Sequence, residues 1–200
     1  VKADIDGLAA ASKIIAGGGI VSYPTETVYG LGCDPFAPHS IERVMRVKGN
    51  RKKPLPVLVK TLQDGQRIAD FSEKAIKLAK EFWPGPLTMV LKAKTLVPSV
   101  LAPSGTVGVR SPQHPICLSL LGLCSGRLIG TSANQTGMTP ATTAEEVVRD
   151  LGDRIDMVVD GGKTMLGVAS TVIDLSSNFV VLREGPIPQE ALLKCLRNRN

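Results

Sequence analysis

The chain has 200 residues, of which 43% are hydrophobic and 21% charged, the balance of one compact globular domain over residues 1–200; at that length roughly 70% of the unfolded surface is buried, so neither disulfides nor a structural metal are needed. Cys33, Cys117, Cys124 and Cys195 form no CxxC pair and have only His39 and His114 to help them, which argues against a zinc site and against a disulfide framework. A net charge of +6 favours anionic partners such as nucleotides, phosphates or RNA without choosing among them, while the lack of an apolar run near ~20 residues and of a signal pattern leads to the expectation of a cytoplasmic protein with no membrane partner.

In chain order, Ile5, Leu8, Ala9, Ile15 and Ala16 recur at helical spacing and Gly17-Gly18-Gly19 stops the helix. Residues 20–23 read as a strand and 24–38 as a loop. Ile41, Val44 and Met45 make a helical face behind Ser40 as cap, and that helix runs into the basic cluster Arg46, Lys48, Arg51, Lys52 and Lys53. A buried strand is expected over 55–59. Ser72 caps a helix whose face is Ala75, Ile76, Ala79, Phe82 and Trp83, ended by Pro84-Gly85-Pro86. Strands at 87–91 and 107–110, a helix at 115–124 and a strand at 127–131 follow. Thr142 or Thr143, each with a glutamate three residues on, offers a capping box for a helix ending near Leu151. Strands at 156–159, 171–175 and 179–183 and a helix starting at Pro188 complete the chain. The mixture implies an α/β fold with a twisted open sheet, mixed parallel and antiparallel because the late strands are consecutive, flanked by helices.

Several familiar chemistries do not fit. Gly162-Lys163-Thr164 resembles the end of a P-loop, but the first glycine would fall at Met157, so the segment reads as a glycine turn. There is no GxGxxG, and Ser132 lies in Thr-Ser-Ala-Asn rather than GxSxG. What remains is a set of polar residues where strands meet loops: Thr25 and Glu26 in a loop containing Gly30 and Gly32, Lys48 with Arg51 at a helix end, Arg110 closing a strand, Ser132 and Asn134, Ser170, and Arg183. In open α/β sheets ligands collect beyond strand ends, so these segments are expected to converge on one pocket.

The segments YPTETVYGLG, KGNRKKPLPVLV, WPGPLTMVL, VGVRSP, GTSANQTG, GVASTVIDL and VLREGPI resemble, in the same order and over nearly the whole chain, those of YrdC-like threonylcarbamoyl-adenylate synthases. The resemblance implies a sheet bent around a concave basic cavity. It also implies a nucleotidyltransferase that makes threonylcarbamoyl-adenylate and pyrophosphate from L-threonine, bicarbonate and ATP. A threonylcarbamoyl-transferase partner enzyme would then modify tRNA beside the anticodon. No histidine or cysteine nucleophile is required: the barrier is the approach of an anion to a polyanion, which cations and oriented donors lower. Mg²⁺ would accompany ATP without a dedicated protein cage.

Carried over by position, the resemblance gives Lys48 and Arg51 as the catalytic, phosphate-binding basic pair. It gives Thr106, Ser132, Asn134 and Arg183 as ATP contacts, and Thr25, Arg110 and Ser170 as threonine contacts, Arg110 for the carboxylate. Many relatives read Lys-x-Arg, whereas here Gly49 and Asn50 intervene; Lys52 and Lys53 are alternatives to Arg51. Longer relatives add a C-terminal domain, and the chain resembles the short form. Two further readings stand beside this one: a tRNA or double-stranded RNA binding module, marked by steep salt dependence, and a carbamoyl-transfer domain of hydrogenase-maturation type, whose accompanying modules are absent from the sequence.

Overall fold

The computed structural model describes residues 1–49 and 54–197; Arg51, Lys52 and Lys53 lie outside the described residues. In chain order the elements are α1 (Ile5–Ala16), β1 (Val21–Tyr23), β2 (Gly30–Gly32), α2 (Pro38–Lys48), β3 (Val57–Val59), α3 (Leu62–Gln66), α4 (Glu73–Phe82), β4 (Leu87–Lys92) and β5 (Thr106–Arg110). They continue with α5 (Pro115–Leu123), β6 (Arg127–Ile129), β7 (Thr131–Ser132), α6 (Ala144–Leu151), β8 (Met157–Val158), β9 (Thr171–Asp174), β10 (Val180–Arg183) and α7 (Gln189–Arg197).

Local chemistry accounts for most helix boundaries. The Asp4 carboxylate accepts the Gly7 N–H at 2.8 Å to open α1, Ser72 caps α4 through the Ala75 N–H, and Thr143 with Glu146 forms the capping box of α6, each satisfying donors that a helix start leaves free. Ser40 does not cap α2. That helix begins earlier, with Pro38 in its first turn and Ala37 ahead of it, because proline's missing N–H costs nothing there; the Ser40 hydroxyl instead donates to Gly18 O at 2.9 Å, tying α2 to the turn after α1.

Among the described residues the strands form two sheets rather than one, in the orders β7-β2-β1-β8 and β10-β9-β4-β5-β3-β6. Both mix orientations: β1 is antiparallel to β2 and parallel to β8, while β4 is antiparallel to β5 and parallel to β9. The strand expected over 127–131 is divided at Gly130 between the two sheets. β6 pairs with β3, and β7 pairs with β2. A Cβ at Gly130 would lie 2.2 Å from Leu58 Cγ, so only glycine lets the chain cross at this spot.

The six-stranded sheet has one apolar and one mixed face. Val57, Leu87, Met89, Leu91, Val107, Val109 and Ile173 are all buried in the main core with Leu78 and Ala79 of α4 and Leu192 of α7. Alternation turns Thr88, Val90, Gly108 and Arg110 to the other side. Burial of each large aliphatic side chain contributes about 1.5–3 kcal/mol, so this register is firmly set: a slip by one residue would exchange the two faces.

Candidate functional site

The mixed face of the six-stranded sheet carries the first cluster. Met89 pairs with Val109, so Thr88 and Arg110 follow as neighbours at one end of the β4–β5 ladder. Thr88 also pairs with Val172, whose partner on the other side is Arg183; Ser170 stands two residues before Val172 and continues its face. Thr88, Arg110, Ser170 and Arg183 thus share one face at one edge. A hydroxyl–hydroxyl bond of 2.8 Å joins Thr88 to Ser170. Arg183 donates from Nη2 to the Ser170 hydroxyl at 3.2 Å and from Nε to Ser170 O at 2.9 Å.

Arg110 meets a carboxylate from the other sheet. The loop between β1 and β2 places Glu26 Oε2 2.7 Å from Arg110 Nη2, with side-chain exposures of 5% and 8%. The two atoms are close without the alignment of a hydrogen bond, which leaves both Glu26 oxygens and Arg110 Nη2 without a hydrogen-bond partner among the described residues. Arg110 Nε donates to Gly85 O at 3.1 Å. Burial holds the Arg183 guanidinium below its ordinary pKa and the like charge of Arg110 lowers it further; although Arg183 as a residue is exposed, its head group is partly enclosed against Ser170. Arg110 is matched by Glu26 while Arg183 has no carboxylate partner among the described residues, an arrangement with one positive charge to spare for an anion. His114, half-buried beside this group, has its pKa lowered by burial, with Glu26 opposing.

The second cluster is built around Lys48, 1% exposed at the end of α2. Its Nζ donates to Ser132 O, to Asn134 O and, at 3.1 Å, to Asn134 Oδ1. The Ser132 hydroxyl donates to Asn134 Oδ1 at 2.6 Å, and Asn134 Nδ2 donates to Gln135 O and Met138 O. The lysine therefore fixes the Thr-Ser-Ala-Asn turn, and the turn leaves the sheet at the same end as loop 24–29 because β7 and β1 run parallel on either side of β2.

Other expected residues fall differently. The Thr25 hydroxyl donates to Val28 O at 2.6 Å, accepts from the Thr27 and Val28 N–H groups and contacts the Thr27 hydroxyl at 2.8 Å; it shapes its own loop instead of presenting a free donor, as threonine does in tight turns. Thr106 lies on the Arg110 face but at the far end of β5, across from Lys92, about 13 Å along the strand. Arg183, expected beside the nucleotide, stands with Ser170 and not with Lys48. The sequence marks Glu26 only as one of the polar residues of its loop and does not single out Thr88, and the turn at Gly162 proves to be tied to the site: Tyr29 donates through its hydroxyl to Gly162 O at 2.8 Å, and the Leu166 N–H donates to Glu26 O at 2.9 Å.

A groove of about 710 Å³ lined by Asp70, Glu73, Lys74, Lys92 and the 175–179 turn lies at the opposite strand ends and holds neither cluster. Among the described residues no three His, Cys, Asp or Glu side chains are grouped to hold a metal, and no helix is long and apolar enough to cross a membrane.

The Sua5, YciO and YrdC family, described as Telomere recombination, matches residues 13–185, a span that contains both clusters. The chain belongs to this family. It is 39% identical over 190 residues to the threonylcarbamoyl-AMP synthase of Pyrococcus abyssi, covering 93% of this chain and 56% of that one; the chain thus spans about half the length of that relative. The structure of P. abyssi Sua5 complexed with L-threonine superposes with a TM-score of 0.92 at 38% identity, over 98% of this chain and 59% of the other. Escherichia coli YciO superposes with a TM-score of 0.84 at 27% identity, over 92% of both chains. These Sua5 and YciO structures have the same mixed sheets and flanking helices.

Proposed function

We propose that this chain catalyses the threonylcarbamoyl-AMP synthase reaction, joining L-threonine, bicarbonate and ATP into threonylcarbamoyl-adenylate and pyrophosphate. The observation that carries the reading is the meeting of Arg110, Arg183 and Ser170 on one sheet face. There a guanidinium and a hydroxyl suit the carboxylate and hydroxyl of a small amino acid. The relative bearing this activity by name and the Sua5 structure holding L-threonine support the same choice.

In this reading the amine of threonine and bicarbonate condense to a carbamate with loss of water, and a carbamate oxygen attacks the α-phosphorus of ATP as pyrophosphate departs. Both reactants are anions. The chain's part is to hold them together and to offset their charge with Arg110, Arg183 and Lys48, the last also fixing Ser132 and Asn134 at the nucleotide end. Thr25 shapes the loop over the amino acid, Thr106 is kept as an ATP contact although it lies farther along the strand, and Arg51, with Lys52 and Lys53 as alternatives, supplies further charge. The concave basic surface expected from the sequence would, in this reading, lie between the sheet face and loops 24–29 and 160–170. Mg²⁺ belongs to the reading as the counter-ion that arrives with ATP, part of the substrate and not a resident of the protein. The chain acts as one unit of its family, in the cytoplasm, and its product passes to a transferase that modifies tRNA.

The test is pyrophosphate release from ATP and Mg²⁺ with threonine and bicarbonate supplied separately and together, using Lys48→Ala and Ser132→Ala as controls. Release that needs both co-substrates and falls in the variants is expected. No release, together with salt-sensitive binding of tRNA, would replace this reading by the RNA-binding one.

A further inference from the structure

Thr88 and Ser170 form a buried hydroxyl pair, 6% and 4% exposed, on the face that carries Arg110 and Arg183. The pairing comes from the sheet. Parallel β4 and β9 align Leu87 with Thr171, which brings the residue after one beside the residue before the other. Nothing in the family roles considered above touches Thr88.

Counting protons gives the pair a meaning. Each hydroxyl has one proton and two lone pairs. Arg183 donates to the Ser170 oxygen, and one of the two hydroxyl protons is used in the 2.8 Å bond between the pair. If Thr88 donates, Ser170 keeps its proton; if Ser170 donates, Thr88 keeps its own. In both cases one proton remains, and neither hydroxyl has a further protein partner among the described residues. A buried donor of this kind calls for an acceptor.

The surroundings limit what that acceptor is. The carboxylate of an incoming amino acid is already matched by Arg110, whose cross-strand neighbour is Thr88. The face is crowded on that side: at Gly108 even a Cβ would stand 3.2 Å from Pro56 Cβ and 3.5 Å from Thr88 Cγ2. Only a short side chain bearing an oxygen close to its α-carbon suits the place beside the pair.

We propose that Thr88 is a specificity-determining residue: its hydroxyl sets the rotor of Ser170 so that the pair presents one proton to the β-hydroxyl of the amino-acid substrate. The inference rests on the synthase reading and deepens it. Arg183 fixes Ser170 from one side and Thr88 from the other, so the donor is held in place before the ligand arrives, and an isostere that replaces the hydroxyl by methyl leaves it unsatisfied.

The experiment compares kcat/KM for L-threonine and for its isostere L-valine, read as pyrophosphate release, in the wild type, Thr88→Val and Thr88→Ser. Thr88→Val is expected to lower the threonine-to-valine ratio about tenfold, mainly through the KM for threonine, with valine little changed; Thr88→Ser is expected to restore most of the ratio. Circular dichroism and a melting curve check that the variants are folded. Should Thr88→Val depress both amino acids alike, the residue is only packing and the inference is overturned while the synthase reading stands. Absence of any threonine-dependent turnover in the wild type overturns both.

Discussion

Glu26 and Arg110 come from different sheets and face each other at 2.7 Å, almost wholly shielded from water. The carboxylate sits in the loop of the β1–β2 hairpin and the guanidinium at the end of β5, so the contact joins the two halves of the site. Removing one partner of such a pair leaves a buried charge without compensation, which typically costs about 3–5 kcal/mol. Glu26→Ala is therefore expected to lower the urea midpoint strongly. The double variant Glu26→Gln with Arg110→Met should recover much of the stability while losing amino-acid binding. Equal stability in the wild type and Glu26→Ala would show that the pair is not a tie between the sheets.

Lys48 makes a different kind of claim. Its ammonium serves backbone and side-chain oxygens of Ser132 and Asn134, and Lys48→Met retains the buried stem while removing every donor. The orphaned acceptors should cost about 1–3 kcal/mol each, and pyrophosphate release should fall about 100-fold or more as the turn loosens. Lys48→Arg should not rescue it, since a planar guanidinium cannot replace a compact three-way donor. Threonine binding measured by calorimetry without ATP should change little in either variant.

Asp156 links three elements at their ends. It accepts the Ile20 N–H at 2.6 Å and pairs with Arg43 of α2 at 3.0 Å. Burial alone would raise its pKa, but the bonds from Arg43 and Ile20 outweigh that and hold the carboxyl below the ordinary aspartate value. A depressed folded pKa gives stability that is present above the unfolded value near 4 and is lost as the pH falls through the folded one. Urea midpoints measured from pH 7 downward should therefore decline in that acid window, and Asp156→Asn should flatten the decline. An unchanged acid limb in the variant would remove Asp156 from the account.

Thiol reactivity supplies an independent check on packing. Burial pushes the Cys33 thiol up to about 12 and the Cys124 thiol up to about 11, and it raises that of Cys117 as well. Because the thiolate is the reactive form, Cys33 and Cys117, both buried, should resist a disulfide reagent at pH 8 in the folded protein. In denaturant all four cysteines should react. Fast native reaction at Cys117 would mean that the face of α5 carrying it is not packed against α1 and β1.

Features governed by neighbours in the chain were readable from sequence. The Thr143–Glu146 box, the Ser72 cap and the glycine stop after α1 each depend on residues within one turn. β2 and β7 were not legible as strands, since Gly-Leu-Gly and Thr-Ser carry no strand signal of their own and exist through pairing with segments far along the chain. The short α3 was missed for the same lack of signal, although Thr61 and Asp64 do form a capping box there. At the site, Arg110 and Ser170 could be singled out by residue type. Glu26 is visible in the sequence only as one polar residue of its loop and Thr88 not at all, and their pairing with Arg110 and Ser170 is not legible, because sheet register and loop placement bring these residues together over 84 and 82 residues.

The stretch 127–132 belongs to both sheets and changes allegiance at Gly130. Neither sheet can slide against the other without breaking ladder bonds in its neighbour, so adjustment to a visitor is left to the loops at 24–29 and 160–170. Substitutions in those loops would alter which molecules are admitted. A substitution at Gly130 would instead decide whether there is a protein to admit them.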